Sequence, residues 1–367
     1  MATDAKLTIR DLTLRAVVVP IRRPLATRVV TIDKAPLLLI DLHTDQGITG
    51  SSYLFGYLER GCVYLAALLR DIFALTKGDV IAPVELYAKV GKALTLMGHQ
   101  GLATMAAAGF DMVCWDALAR AAAVPLVTML GGKPQRIHAY NSNGLGLISA
   151  EAASAEALEL VAEGDFDAIK VRLGRPTLAA DLAVVRAVRK RVGDNVVLPC
   201  DFNQSLDVME AIRRGRALDK EGVYWIEEPI VFDDLAGNAK VAREVVTPIQ
   251  IGENLYSPKA VASAIAARAC DYLMFDVMRI GGITGWLRAA ALADAAGIEV
   301  STHLFPEVSC HLMAVTPTRH WLEFVDWATP VLSHPLHVEN GHVQIPEAPG
   351  TGIAWNEDAI TRYEIEL

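Results

Sequence analysis

Apolar and polar residues follow a strand-like pattern in the first part of the chain. Between residues 6 and 20 (KLTIRDLTLRAVVVP) they alternate before the run becomes continuously apolar, and PLLLIDLHTDQGITGSSYLF follows with a turn at residues 45–47. This pattern predicts an antiparallel meander with a hairpin. The intervening segment, IRRPLATRVVTIDKA, is predicted to be a loop, and loops of that length within compact domains often act as lids.

From Gly61 to Val124 the pattern is typical of helices. Three apolar-periodic runs, CVYLAALLRDIFAL, VELYAKVGKALTL and GLATMAAAGFDMVCWDALARAA, are separated by the breaker segments GDVIAP and MGHQG. The sequence LGGKPQ then marks a boundary, because glycine and proline interrupt regular structure. Residues 1–132 are therefore predicted to form an α+β capping domain.

After this boundary, short β-like runs alternate with helix-length stretches. The eight runs are IHAYNSN, AIKVRLG, VVLPCDFN, YWIEEPI, PIQIGEN, YLMFDVMR, EVSTHLF and HWLEFVD. This alternation predicts an α/β fold with a TIM-type barrel over residues 133–327, whose active site belongs at the C-terminal strand ends. Residues 328–367 contain short β-like pieces punctuated by proline, and we expect them to fold back onto the capping domain.

Composition narrows the classes of partner. The chain has 367 residues, 52% hydrophobic, and a formal net charge of −9, which argues against a nucleic-acid or anionic-membrane partner. The five cysteines are scattered, so neither a disulfide framework nor a zinc site is indicated, and a reducing cytoplasm is the expected compartment. No signal-like N-terminus or uncharged 18-residue apolar run is present, so we expect no membrane segment.

Three acidic residues, Asp201, Glu227 and Glu253, each follow a short apolar run and are spaced by 26 residues. In a parallel barrel this spacing places three carboxylates at the same ends of three neighbouring strands. Carboxylate oxygens are the ligands that Mg²⁺ prefers. The sequence therefore predicts a magnesium site at this end of the barrel.

Further polar residues are predicted to point into the barrel near the strand ends. Residues i and i+2 of a strand share a face, which pairs Lys170 with Arg172 and Asp201 with Asn203. The others are Asp276, His303 and Glu323. Strand-end ion pairs would be the structural alternative, but buried charges are costly unless they are paired or bind a metal. We therefore interpret the set as an active site.

These motifs resemble those of the enolase superfamily, in particular the mandelate racemase group, over essentially the whole chain. The similarity lies in DFNQSLDV, YWIEEP, IGEN, FDVMRIGGITGWLRA, STHLF and TPTRHWLE. It implies a capping α+β domain, a modified (β/α)7β barrel, one Mg²⁺ and abstraction of the proton α to a carboxylate. Relatives of this kind are commonly homo-oligomers, often octamers.

The resemblance also implies individual roles. Asp201, Glu227 and Glu253 match the metal ligands, and His303 with Asp276 matches a His-Asp dyad that acts as base. Glu323 matches the acid that hydrogen-bonds the developing enediolate, which would require a raised pKa. Lys170 and Asn203 match contacts to the substrate.

Arg172 departs from the family pattern. Mandelate racemase has K-x-K in this strand, with the second lysine as base on the face opposite the histidine, whereas this chain has K-V-R. A guanidinium group has a pKa above about 12 and does not serve as a neutral base. We therefore favour a one-face reaction in which His303 removes the α-proton and then protonates a departing β-hydroxyl, so that a hydroxy acid or acid sugar yields a 2-keto acid.

The residues of the predicted cap do not identify the substrate. Leu25, Ile32, Phe55 and Tyr57 resemble an apolar lining suited to a mandelate-like acid, whereas Arg28 suits a hydroxyl or a second carboxylate. Racemisation or epimerisation of a mandelate-like 2-hydroxy acid is thus one alternative. A noncatalytic barrel that binds a carboxylate is the other.

Overall fold

The computed structural model describes residues 6–367, whose strands form three sheets. The strands are β1 (Ile9–Ala26), β2 (Thr31–Thr44), β3 (Thr49–Phe55), β4 (Arg136–Asn141), β5 (Val171–Arg172), β6 (Cys200–Asp201), β7 (Ile226–Glu227), β8 (Ile249–Ile251), β9 (Tyr272–Asp276), β10 (Val300–His303), β11 (Leu322–Phe324), β12 (Val338–Glu339), β13 (His342–Gln344) and β14 (Glu364–Ile365).

Twelve α-helices occur in the described part of the chain, together with a 3-10 turn at Thr329–Val331. The helices are α1 (Glu59–Thr76), α2 (Pro83–Ala93), α3 (Leu102–Ala121), α4 (Leu126–Met129), α5 (Ala150–Ala162), α6 (Leu178–Val192), α7 (Val208–Leu218), α8 (Leu235–Glu244), α9 (Pro258–Ala267), α10 (Gly282–Ala296), α11 (Pro306–Ala314) and α12 (Glu357–Tyr363).

The cap is built on an antiparallel sheet in the order β14-β1-β2-β3, as the alternating pattern predicts. The prediction of a loop between the first two strands is wrong. β1 continues to Ala26 and β2 begins at Thr31, and the pairs Leu25–Ile32 and Ala26–Thr31 extend the ladder. A register shift between Pro20 and Leu25 bends this extension, which we call the hairpin arm (residues 20–34).

The long helix α3 forms the centre of the cap. It is long and apolar enough to cross a membrane, but 78% of the apolar window is buried inside the protein. Small residues allow close packing, since a Cβ added to Gly50 of β3 would lie 2.1 Å from the carbonyl oxygen of Val113. Its apolar character is therefore that of a core helix.

The strands β4 to β11 form a parallel barrel with seven helices between them, which confirms the predicted (β/α)7β fold. β5 to β10 pair in sequence order, and β11 pairs in parallel with β4. Single bridges, Asn141–Ile169 and Val300–Arg319, connect the two sheets and close the ring. Seven of the eight observed strands lie within the predicted runs, and β4 begins one residue before its run, at Arg136. Each strand is shorter than its run, because the last residues bend into the loops that carry polar groups.

Side chains at the helix starts fix where several barrel helices begin. Ser149, Thr177 and Asp207 each accept a hydrogen bond from the backbone N–H three residues later, at the starts of α5, α6 and α7. Such caps satisfy donors that the first turn leaves unpaired. The loops before them are consequently held at the strand ends.

The C-terminal segment contacts both domains, whereas contact with the cap alone was expected. β13 pairs with β4 of the barrel through Val343–Ile137, and β14 pairs with β1 of the cap. Between them, Thr351 donates to Asp116 of α3. The first half of β4, before its pairing with β11 begins at Ala139, is thus paired by the β12–β13 hairpin.

Candidate active site

Every polar residue predicted to point into the barrel lies at its C-terminal end. The parallel register places Arg172 beside Asp201, Asp201 beside Glu227, and Asp276 beside His303. Glu253 follows β8 by two residues, and Glu323 lies in β11. The pleat of each strand therefore turns residues from seven successive strands toward one centre.

Lys170 is the cation at this centre. Its Nζ lies 2.6 Å from Glu227 Oε1, 2.7 Å from Glu323 Oε1 and 3.6 Å from Asp201 Oδ2, and all four side chains are buried. Burial opposes the charge on Lys170, but the three carboxylates outweigh it and raise its pKa. Lys170 is therefore a permanent ammonium group that can meet an anionic substrate.

Acidic groups outnumber basic groups in this buried region. Six carboxylates (Asp201, Glu227, Glu228, Glu253, Asp276 and Glu323) face Lys170, Arg172, Arg279 and the imidazole of His303. Burial raises the pKa of Asp201, of Glu228 and of Glu227, the last to about 8. A divalent cation would relieve this excess, because an unbalanced buried charge is strongly unfavourable.

The donor set fits Mg²⁺. Glu228 Oε1 and Asn203 Oδ1 are buried oxygens without hydrogen-bond partners, beside the carboxylates predicted as ligands. Within residues 6–367, no three His, Cys, Asp or Glu side chains meet closely enough to hold a metal. Lys170 instead holds Glu227, while Asn203 Nδ2 donates to Asp201 Oδ2 at 2.9 Å. Oxygen donors and surplus negative charge suit a hard cation.

His303 and Asp276 form a hydrogen-bonded pair. His303 Nδ1 lies 2.7 Å from Asp276 Oδ2, and Asp276 Oδ1 accepts from the N–H groups of Met278 and Arg279. Because a carboxylate only accepts, Nδ1 carries the proton and Nε2 is left for a substrate. Burial lowers the pKa of His303, but Glu253 and Asp276 outweigh it and raise the pKa to about 9. A cation bound to Glu253 would oppose this rise and favour the neutral imidazole, in which Nε2 is a base.

Arg172 is fastened to the loop after β4. Its Nη1 donates to the carbonyl oxygens of Ser142 (2.7 Å) and Gly144 (3.0 Å), and its Nη2 donates to Ser142 Oγ (2.9 Å). Its buried Nε has no partner. The side of the site near β5 thus presents a fixed guanidinium group that donates hydrogen bonds and accepts no proton.

Glu323 is ionised in this arrangement, so the expected rise in its pKa is wrong. Its Oε1 accepts from Ser142 Oγ at 2.6 Å and meets Lys170, while Oε2 accepts from the N–H of Leu304 at 2.8 Å. Burial favours the neutral acid, but Lys170 and His303 lower the pKa below its ordinary value. The sequence pattern did not indicate that Ser142 belongs to the site, where its hydroxyl donates to Glu323 and accepts from Arg172.

The predicted substrate contacts of the cap are divided between two places. Leu25 and Ile32 pair within the hairpin arm, where Arg28 Cβ lies within 3.4 Å of a Cβ added to Gly174 on the loop after β5. Tyr57 lies elsewhere, with its hydroxyl hydrogen-bonded to Arg279.

Arg279 and Glu228 are site residues whose importance the sequence did not fully reveal. Arg279 Nη1 lies 3.3 Å from Glu253 Oε1, and its guanidinium carbon lies 5.0 Å from the Tyr57 ring centre. Glu228 directly follows Glu227, and Asn254 Nδ2 donates to its Oε2 at 2.8 Å. The doubled acid in YWIEEP was the available signal for Glu228.

The wall beside His303 is apolar. Leu304 and Phe305 follow His303 in left-handed backbone conformations and line a small cavity with Phe55, Val325 and Trp327. The Phe55 ring centre lies 5.4 Å from that of Trp327 and 4.3 Å from that of Tyr57. The side chains packed next to His303 on this side are therefore apolar and aromatic.

Comparison with known proteins agrees with this geometry. The enolase C-terminal domain-like family matches residues 152–359, and the mandelate racemase / muconate lactonizing enzyme N-terminal domain matches residues 9–131. The L-talarate/galactarate dehydratase of Salmonella typhimurium is 32% identical over 75% of this chain and 69% of its own length.

Two further relatives cover nearly the whole chain. The 3,6-anhydro-alpha-L-galactonate cycloisomerase of Streptomyces coelicolor is 30% identical over 90% of this chain and 91% of its own. A Bradyrhizobium enolase solved with magnesium and mandelic acid is 42% identical, covers 99% of this chain and 100% of its own, and has a TM-score of 0.95. This chain belongs to the enolase superfamily, in the mandelate racemase and muconate lactonizing enzyme group.

Proposed function

We propose that this protein is a Mg²⁺-dependent hydro-lyase that converts a small 2,3-dihydroxycarboxylate to a 2-keto acid. The observation that carries the proposal is the difference between the two sides of the site. His303 is an imidazole paired with Asp276, whereas Arg172 is a guanidinium group fixed by Ser142 and Gly144. A single proton-transfer group on one face of the substrate supports elimination of water more directly than inversion of configuration at the α-carbon.

The proposed reaction uses His303 twice. Its Nε2 removes the α-proton, and the electron pair of that C–H bond becomes the new double bond as the β C–O bond breaks. The same imidazolium then returns its proton to the departing hydroxyl, which leaves as water. The resulting enol takes up a proton at the β-carbon to give the 2-keto acid.

The other residues hold the substrate and its developing charge. Mg²⁺, held by Asp201, Glu227 and Glu253, would supply Lewis-acid stabilisation to the substrate carboxylate. Lys170 donates to that carboxylate, and Asn203 contacts a hydroxyl beside it. Arg172 offers its unpaired Nε to a hydroxyl or carboxylate oxygen. Glu323, ionised, orients Lys170 and serves as an acceptor for a substrate hydroxyl.

Racemisation or epimerisation of a 2-hydroxy acid is the second candidate function. The apolar side chains of Leu304, Val325 and Trp327 near His303 favour it, since they offer no hydrogen-bond partners for a polyhydroxy chain. The Bradyrhizobium relative with mandelic acid supports the same point. The absence of a lysine at position 172 weighs against it.

An exchange experiment distinguishes the two candidates. We would incubate dihydroxy acids, acid sugars and mandelate-like acids with the enzyme and Mg²⁺ in D2O, and follow α-deuterium and 2-keto acid by NMR. Dehydration predicts keto acid formation, with any α-exchange retaining configuration. Exchange with inversion and no keto acid would favour the racemase, and neither exchange nor keto acid with any acid would refute both.

His303→Asn is expected to lower both exchange and dehydration by about 10³-fold, within the range for a removed general base. The matched control is His334→Asn, which changes an exposed histidine and should retain wild-type rates. Full activity in His303→Asn would overturn the assignment of the base.

We also propose a cytoplasmic homo-oligomer. All five cysteines lack a disulfide partner, and burial raises the pKa of the Cys62 and Cys270 thiols to about 12, which suits a reducing compartment. Exposed apolar side chains such as Val29, Leu58 and Tyr64 lie on the cap surface, where subunit contacts would cover them. Light scattering on the purified protein tests this, and a monomer would contradict it.

A further inference from the structure

A second cavity lies at the seam between the cap and the barrel. Its volume is about 310 Å³, and α2 and α3 form one wall while residues 257–259 and the start of α10 form the other. Its lining includes none of the side chains assigned above to the metal, the base or the substrate contacts. The cavity is therefore separate from the candidate active site.

The inner part of this cavity is apolar but contains one unsatisfied polar atom. Leu86, Val90 and Phe110 are buried there. Thr104, 9% exposed, lines the same space, and its buried hydroxyl oxygen has no hydrogen-bond partner. Leaving such a group unpaired is unfavourable, so a ligand that reaches it gains a hydrogen bond the protein does not provide.

The rim of the cavity carries positive charge. Lys259 and Arg288 line it and are exposed, and the Arg288 guanidinium carbon lies 4.7 Å from the Tyr87 ring centre. Asp111 is the one acidic residue of the described lining. It is buried and bonded to the N–H and hydroxyl of Thr284 at 2.9 and 2.6 Å, so its oxygens are already engaged.

We propose that this cavity binds a small amphipathic carboxylate, with an aryl or branched alkyl body inside and the acid group at the cationic rim. The volume lies at the lower end of the range for small-molecule sites, which bury an apolar body against few polar groups. Arg288 and Lys259 offer charge-assisted hydrogen bonds to the acid. Binding of a ligand in this cavity does not require the reaction in the barrel to take place.

Gly91 offers a way to fill the cavity with little damage. It lies in α2, and a Cβ added there would meet only His99 Cε1, at 3.8 Å. Gly91→Leu therefore occupies the cavity while improving helix propensity. The matched control is Ala93→Leu, which adds the same side chain to the exposed side of the same helix.

The test is calorimetric titration of the Mg²⁺-loaded protein with 4-phenylbutyrate and with its neutral amide. We expect one site with at least tenfold higher affinity for the acid. Gly91→Leu should weaken it at least tenfold, and Ala93→Leu and the metal-ligand variant Asp201→Asn should not change it. The double variant Lys259→Gln/Arg288→Gln, confined to exposed side chains, should bring the affinity for the acid down to that for the amide.

Three results would overturn the proposal: no binding at millimolar acid, equal affinity for acid and amide, or binding that survives Gly91→Leu but is lost in Asp201→Asn. The last would place the probe in the barrel. Thermal unfolding of Gly91→Leu shows whether this variant folds. If it does not fold, the affinities of Lys259→Gln/Arg288→Gln for the acid and the amide test the proposal instead.

Discussion

At the scale of single residues, we expect Arg172 to determine which face of the substrate can exchange its proton. Arg172→Lys restores an amine that burial and the nearby Lys170 push toward its neutral form. We expect α-proton exchange on the face opposite His303 to rise by about 10²-fold or more. Deuterium incorporation into each enantiomer of a substrate acid measures this.

Arg172→Met is the control for that gain. Methionine has similar length but accepts no proton, so it should remove the contacts to Ser142 and Gly144 without adding exchange on the second face. An equal gain in both variants would mean that the arginine merely blocks access, and the explanation by missing base would be wrong.

The acidic residues of the site make the protein's stability depend on Mg²⁺. A cation that binds only the folded state stabilises it by about 2.7 kcal/mol at 100 times its dissociation constant. We expect Mg²⁺ to raise the Tm, and EDTA to lower it and abolish activity. Asp201→Asn should remove most of the Mg²⁺-dependent shift, as thermal unfolding with and without Mg²⁺ would show.

Asp194→Asn removes an exposed carboxylate far from the strand ends of the barrel and serves as the control. It should keep the full dependence on Mg²⁺. If it loses as much as Asp201→Asn, the shift reflects general surface charge and the magnesium site is not where we place it.

Residue types and spacing sufficed to bring the candidate site residues to one end of the barrel, because strand ends and i, i+2 faces follow from local pattern. Their protonation states did not follow. Glu323 was expected to have a raised pKa, but Lys170 and Ser142, which come from other strands, hold it ionised. Such contacts depend on tertiary distances of a few ångströms that no single segment encodes.

At the scale of elements, the local sequence pattern failed to predict the hairpin arm. Proline and arginine near Pro20 and Arg22 resemble a loop, yet cross-strand pairing and docking on the barrel extend the strands. The N–H of Leu147 donates to the carbonyl of Ala26 at 2.7 Å. Tertiary contact thus overrides a weak local strand signal.

The docking of this arm can be disturbed at one glycine. A Cβ at Gly146 would lie 2.7 Å from both the N and O atoms of Ala26, so Gly146→Ala must push the arm tip away. Because Leu25 and Ile32 lie on that arm, we expect KM to rise about tenfold, equivalent to 1.4 kcal/mol, with a smaller change in kcat. Steady-state kinetics measures the split.

Gly91→Ala is the matched control, since its added Cβ has ordinary contact distances. It should leave KM unchanged. A fall in kcat with constant KM in Gly146→Ala would show that the arm does not contribute to substrate binding.

At the scale of the whole molecule, the order of elements was predictable and the joining of the parts was not. Eight β-like runs with helices between them specify a parallel barrel, because short right-handed connections between parallel strands permit few chain topologies. The C-terminal segment was assigned to the cap alone because its short pieces carry no sign of a partner. In fact β13 pairs with the first half of β4, a contact between residues about 200 positions apart.

His311 lies where cap, barrel and C-terminal segment meet, and we expect it to make the stability of the whole fold depend on pH. The N–H of Val127 in α4 donates to its Nδ1, and its Nε2 donates to the carbonyl of Thr351, both at 3.2 Å. A proton on Nδ1 would break the first bond. Burial lowers the pKa of His311 from 6.5 to about 4.

The direction of the effect follows from these pKa values. Between pH 6.5 and 4 the unfolded chain binds a proton that the folded protein rejects, so stability is full above pH 6.5 and falls as the solution becomes more acidic. The loss approaches about 3 kcal/mol at the acid end. Urea unfolding at pH 5 and 7.5 should show this difference shrinking in His311→Gln, which keeps one donor and one acceptor. The difference should persist in His334→Gln, because that side chain is exposed. An unchanged pH dependence in His311→Gln would assign the acid sensitivity to other groups. One such group is His320, whose pKa is also lowered to about 4 by burial.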